Sequence, residues 1–236
     1  MRKKILLAIF ISAISFGAFA TVQPAPVSAN SDVVVQAIPG PSLTERLVTR
    51  AKSSWPWYVV RASGFIAAAS LIILILSGIG QVSGYTYRFL EPLTAWATHR
   101  ALGIAFSVSV LIHMFGLLFD NFTSFHILDL FIPWLSNYKT VTLFGMDVGS
   151  IYIALGVLAF YLTAIVVIVS LLWVEKKPRL WKWTHLLSYL IMIFVFIHAL
   201  YLGSDLADGL LRLAWIAGGI VVAFGIVYRL WRAKTV

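Results

Sequence analysis

The chain has 236 residues, of which 61% are hydrophobic and 11% charged, with a mean hydropathy of +0.93. Such a composition excludes a soluble globular domain and marks an integral membrane protein. The net charge of +9 lies in loops and tail rather than in a soluble basic domain, which argues against a nucleic-acid partner, and the absence of cysteine excludes disulfides, thiolate-held iron–sulfur clusters and thioether-attached haem.

Taken from the N-terminus, MRKK followed by ILLAIFISAISFGAFA has the basic, apolar and small-residue parts of a secretory signal peptide, with cleavage sites at Ala18-Phe19-Ala20 or Val27-Ser28-Ala29. A retained sixth, N-terminal helix is the alternative, because the apolar run is only slightly short of a span. Residues 21–54 are rich in Pro, Ser and Val without helical period, and read as an extracytoplasmic linker. Five apolar runs of about 20 residues follow, each long enough to cross a bilayer as a helix. They are predicted at Tyr58 to Gly80, His99 to Phe119, Ile151 to Val174, Thr184 to Gly203 and Leu210 to Trp231. The expected fold is therefore all-α, a bundle of five transmembrane helices in a lipid bilayer, with segments 1–29 (signal peptide or helix), 30–54 (linker) and 55–232 (membrane domain).

Loop charge predicts the orientation. Glu175-Lys176-Lys177-Pro178-Arg179 with Lys182, and the tail with Arg229, Arg232 and Lys234, belong on the cytoplasmic side, whereas the loops holding Asp120, Asp129, Lys139 and Asp147, and Asp205 and Asp208, are net acidic and external. Arg46, Arg50 and Lys52 violate this scheme, but a region translocated by a signal peptide is weakly constrained. Trp57, Trp96, Trp173, Trp183 and Trp231 near span ends read as an interfacial belt.

Four of the five histidines lie in two spans that run in the same direction: His99 and His113 in the second, His185 and His198 in the fourth. Ionisable groups are costly in a membrane and usually functional there. Fourteen residues cover about 21 Å of helix, so His99 with His185 and His113 with His198 form cross-helix pairs near opposite margins of the hydrocarbon. Two facing imidazoles are what a six-coordinate haem iron requires, and two such haems would carry electrons across the membrane. Helix-to-helix hydrogen bonding by single histidines is the bland alternative. A proton relay or metal transporter should scatter acids through the spans, and the last four hold none well inside. On an ideal helix His185 and His198 diverge by about 140°, so either the fourth span is distorted, by a π-bulge for example, or its ligands approach from different flanks.

The H-x13-H and H-x12-H spacing two helices apart resembles the ferric reductase-like transmembrane domain, shared by ferric-chelate reductases and NADPH oxidases. HRALG at 99–103, RLWKWTHLLSYL at 179–190, HALYLGSD at 198–205 and WYVVRASG at 57–64 look like its bacterial members. The resemblance covers about residues 55 to 232. It implies two haem b groups, the inner held by His99 and His185 and the outer by His113 and His198, in a bacterial inner membrane with a cytoplasmic C-terminus. Larger members continue into a flavin- and nicotinamide-binding domain. Here the sequence ends five residues after Trp231 without G-x-G-x-x-G, so the expected donor is a separate flavoprotein reductase or a quinol. The expected acceptor is external: ferric iron, oxygen or a periplasmic redox partner. This makes the chain an oxidoreductase component; a non-catalytic haem-binding sensor or anchor subunit is the alternative.

Three further residues are candidates around the cofactor. Arg100 beside His99 would pair with haem propionates or anchor the helix at the interface. Gly103, one turn on, would admit a porphyrin or mark helix packing. Phe106, seven residues from each of His99 and His113, falls on their stripe at half height and would fill the space between the haems, or face lipid as one of sixteen Phe. Arg61 would meet propionates on the other side or snorkel to headgroups. His126 lies in an amphipathic external loop, at the interface or near an acceptor or metal.

Overall fold

A computed structural model describes residues 42–120, 125–138, 142–143, 146–147 and 149–232. The candidate signal peptide and residues 30–41 of the linker lie outside them, as do Lys139 and Lys234. The architecture is all-α apart from a two-residue antiparallel pair, Thr142–Leu143 with Met146–Asp147. The long helices are α1 (Leu43–Val82), α2 (Pro92–Gly116), α3 (Gly149–Trp173), α4 (Pro178–His185), α5 (Ser188–Leu202) and α6 (Gly209–Arg232). With α4 and α5 taken together, five helical segments are long and apolar enough to cross a membrane.

α1 begins earlier than its apolar run. Ser42 accepts from the Glu45 N–H while the Glu45 carboxylate accepts from the Ser42 N–H, a reciprocal cap that satisfies two end donors. Residues 43–54, expected as part of the linker, are helical and continuous with the first span. At 40 residues the helix is about 60 Å long, twice the hydrocarbon thickness. Its first three turns are exposed.

The fourth span is two helices. Leu187 N–H donates to Thr184 C=O at 2.9 Å and Tyr189 N–H to Leu186 C=O at 3.2 Å, so the chain tightens to i→i+3 bonding between α4 and α5. The span is distorted by local overwinding rather than by a π-bulge, which answers the histidine angles in part and leaves the two rings on different flanks. At about 120° per residue against 100°, a few such residues remove roughly half of the ~140° divergence between His185 and His198.

Packing defines two helix pairs. α1 lies along α2, and α3 lies against α4 and α5; α6 closes the bundle against α1 and α5. Their shared core gathers Leu71, Ile75, Met192, Phe196 and Val222, with Trp215 stacked on Phe196 at 5.4 Å and its Nε1–H donating to the Phe196 carbonyl. The indole thus buries its ring and satisfies its one polar atom at once. α2 has no comparably close backbone packing against α4 or α5. The helices that carry the histidines are each supported from behind and stand apart from one another.

Candidate functional site

The side chains of α2 and of α4 and α5 meet across that separation as two imidazole pairs. His99 and His185 have ring centres 6.1 Å apart and planes at 48°; His113 and His198 are 6.5 Å apart at 83°. All four rings are half-buried. The pairing is the one a parallel arrangement of the second and fourth spans requires.

Each ring is held by the helix behind it, and always through Nδ1. His113 Nδ1 is 2.9 Å from the Val60 carbonyl and His198 Nδ1 is 2.8 Å from that of Tyr152. His99 Nδ1 lies 2.8 Å from Ser77 Oγ, and His185 Nδ1 lies 3.4 Å from Ser170 Oγ. A carbonyl only accepts, so the first two rings carry their proton on Nδ1 and leave the Nε2 lone pair free. Ser77 Oγ also reaches the Leu74 carbonyl at 3.0 Å; with its proton there it accepts from His99, which gives the same tautomer. Ser170 receives Trp181 Nε1–H at 3.3 Å, and towards His185 Nδ1 its hydroxyl can accept from the ring or donate to it. Neutral imidazoles presenting Nε2 are the form in which histidine ligates a metal.

Two glycines make the carbonyl anchors reachable. A helical C=O already accepts from the N–H four residues on, and its second lone pair opens beside that residue's side chain. Four residues after Val60 stands Gly64, and four after Tyr152 stands Gly156. A Cβ on Gly156 would lie 2.7 Å from His198 Nδ1, and one on Gly64 3.1 Å from His113 Nδ1. Gly78, next to Ser77, is looser: its Cβ would meet His99 Cε1 at 3.4 Å. None of these positions stands out by residue type alone, since glycine is common in membrane helices.

Among the other candidates, Phe106 is 5% exposed and belongs to the core, which removes the lipid-facing alternative. Among the described residues nothing lies within 4 Å of where a Cβ on Gly103 would sit. Arg100 is exposed, its guanidinium 5.4 Å over the Trp96 ring. Arg61 does not simply snorkel: it forms an ion pair with Asp205, beyond α5, and stacks 3.8 Å over Trp57. His126 is exposed and caps a short 3₁₀ turn, its N–H donating to Asp129. Sequence reasoning gave Arg229 only a role in orientation, whereas it donates to the Tyr189 hydroxyl one turn from His185, and it missed Tyr152 and Tyr201, stacked at 4.3 Å beside His198.

Among the described residues no group of three or more His, Cys, Asp or Glu side chains could enclose a bare metal ion. What the site offers is two pairs of opposed nitrogen donors. Comparison with models of known families, with curated proteins and with solved structures finds no match to the chain.

Proposed function

We propose that this chain is a membrane electron-transfer protein of ferric reductase-like type that binds two b-type haems, His99 and His185 holding the inner and His113 and His198 the outer. The observation that carries this reading is the pair of ring-centre distances, 6.1 and 6.5 Å, with Nδ1 anchored in every ring. A metal bound by two imidazole nitrogens at about 2 Å each sets the ring centres about 6 Å apart. The porphyrin supplies the other four ligands, so a haem needs no third protein donor, whereas a bare ion does. When bound, haem supplies a one-electron couple at each site.

The carbonyl and hydroxyl anchors behind the rings orient the imidazoles. Absence of cysteine makes any haem non-covalent. The donor is a cytoplasmic flavoprotein reductase or a membrane quinol, and the acceptor is extracytoplasmic: ferric iron, oxygen or a periplasmic redox partner. The basic loops support a cytoplasmic C-terminus in a bacterial inner membrane, with the first 29 residues as signal peptide or added helix.

The test is stoichiometry. Protein purified in detergent should carry close to two haems per chain, low-spin in the visible spectrum and fully extractable into acidified organic solvent. One haem, or none after haem-replete expression, would sink the two-pair reading.

A further inference from the structure

We infer that Gly156 and Gly64 are positioning residues for the outer histidines, opening the Tyr152 and Val60 carbonyls to the ring N–H groups, and that Ser77 and Ser170 do the corresponding work for the inner pair. The inference rests on the two-haem reading for its electronic consequence, but its geometry stands on the chain alone. Both carbonyl anchors have glycine four residues on, and both hydroxyl anchors are serines. On α1 Gly64 and Gly78 are fourteen residues apart, as are the facing His99 and His113 on α2; on α3 Gly156 and Ser170 are fourteen apart, against thirteen for His185 and His198.

The two supports differ in kind. A backbone carbonyl is fixed by its helix and can only accept, so it locks the tautomer and pulls on the Nδ1 proton, raising the basicity of Nε2. A serine hydroxyl rotates, and its accepting strength depends on where its own proton goes. Ser77 accepts from His99 when its own proton turns to the Leu74 carbonyl; Ser170 also receives Trp181 Nε1–H and lies at the longest of the four distances from its histidine, 3.4 Å. The outer site thus has rigid ligands and the inner site adjustable ones. Ligand basicity is one of the levers on a haem potential, so the two sites are tuned through different atoms.

The glycine contacts predict a graded series, because the space for a Cβ rises from 2.7 Å at Gly156 to 3.1 Å at Gly64 and 3.4 Å at Gly78. In membrane-reconstituted full-length protein, Gly156→Ala should displace the His198 ring and lose or convert the outer low-spin haem while the inner one remains. Gly64→Ala should keep both haems with a perturbed outer centre, and Gly78→Ala should match the parent. Ser77→Ala should retain both haems and raise the potential of the inner centre alone, with Ser77→Thr restoring it. Redox titration monitored by visible and EPR spectra reads each centre separately. Equal effects at all three glycines, or a Ser77→Ala shift shared by both centres, would overturn the inference.

Failure of the two-haem reading shows differently, as a parent protein with fewer than two haems. The positioning role is then read from histidine ¹⁵N spectra of the protein in lipid. Nδ1-protonated His198 in the parent, mixed in Gly156→Ala, supports it; unchanged tautomers in both refute it. Should Gly156→Ala fail to accumulate, the same comparison is made with Gly64→Ala and His113.

Discussion

Phe106 shows how the position of a single residue is fixed by two histidines at once. Seven residues from each histidine of α2, it shares their stripe, and the fold buries it to 5% exposure in the core. Truncation to Ala leaves a cavity that neighbours fill only in part, a loss on the order of 3–5 kcal/mol in well-packed interiors. Phe106→Ala should therefore lower the thermal midpoint in detergent while both haems stay bound, since it ligates neither. Slower electron equilibration between the two centres would place the ring between them; unchanged kinetics with both haems present would leave it as packing alone. Arg61 and Asp205 offer a second residue-level test. Their pair is partly exposed, with side chains 30% and 19% accessible, so the coupling in a double-mutant cycle of Arg61→Gln and Asp205→Asn should be about 1 kcal/mol rather than the several expected of a buried pair.

At the scale of elements, the pairing follows from helix direction. α2 and the α4–α5 span are parallel because one span separates them, so His113→Ala and His198→Ala should each remove the same haem, and the double variant should lose little more. Loss of a common haem on changing His113 and His185 would require antiparallel helices. The spans themselves were legible because about 20 apolar residues in succession admit little else in a bilayer. The break between α4 and α5 was visible only as a conflict, the angle between His185 and His198, because nothing in Leu186-Leu187 marks a 3₁₀ turn. The early start of α1 had a readable signal in Ser42-x-x-Glu45, but the following polar turns hid it behind the absence of an apolar period. The anchors of the outer rings were illegible for a deeper reason: backbone carbonyls belong to every residue, and Val60 and Tyr152 act through theirs. What could have been found is the glycine four places on, and the matching fourteen-residue spacings of α1 and α2.

Across the whole molecule, the distribution of charge sets the direction in which the site works. Lys176, Lys177, Arg179 and Lys182 lie at the α3–α4 end near His185, and Arg232 of α6 reaches the Ser83 carbonyl at the end of α1. Asp205 and Asp208 lie beyond α5 at the end near His198. Loops rich in Lys and Arg stay cytoplasmic, so in the proposed electron-transfer reading the His99–His185 pair would face the donor side and the His113–His198 pair the acceptor side. The cysteine-free sequence makes this directly measurable, because a single introduced thiol is the only one present. Asp208→Cys should react in intact spheroplasts with a maleimide that cannot cross the membrane, and Lys176→Cys should react only after permeabilisation. The reverse pattern would invert the protein, exchange the inner and outer pairs, and require the electron donor to act from outside; the imidazole pairing would be untouched, since it depends on the helices being parallel to one another and not on which way they both point.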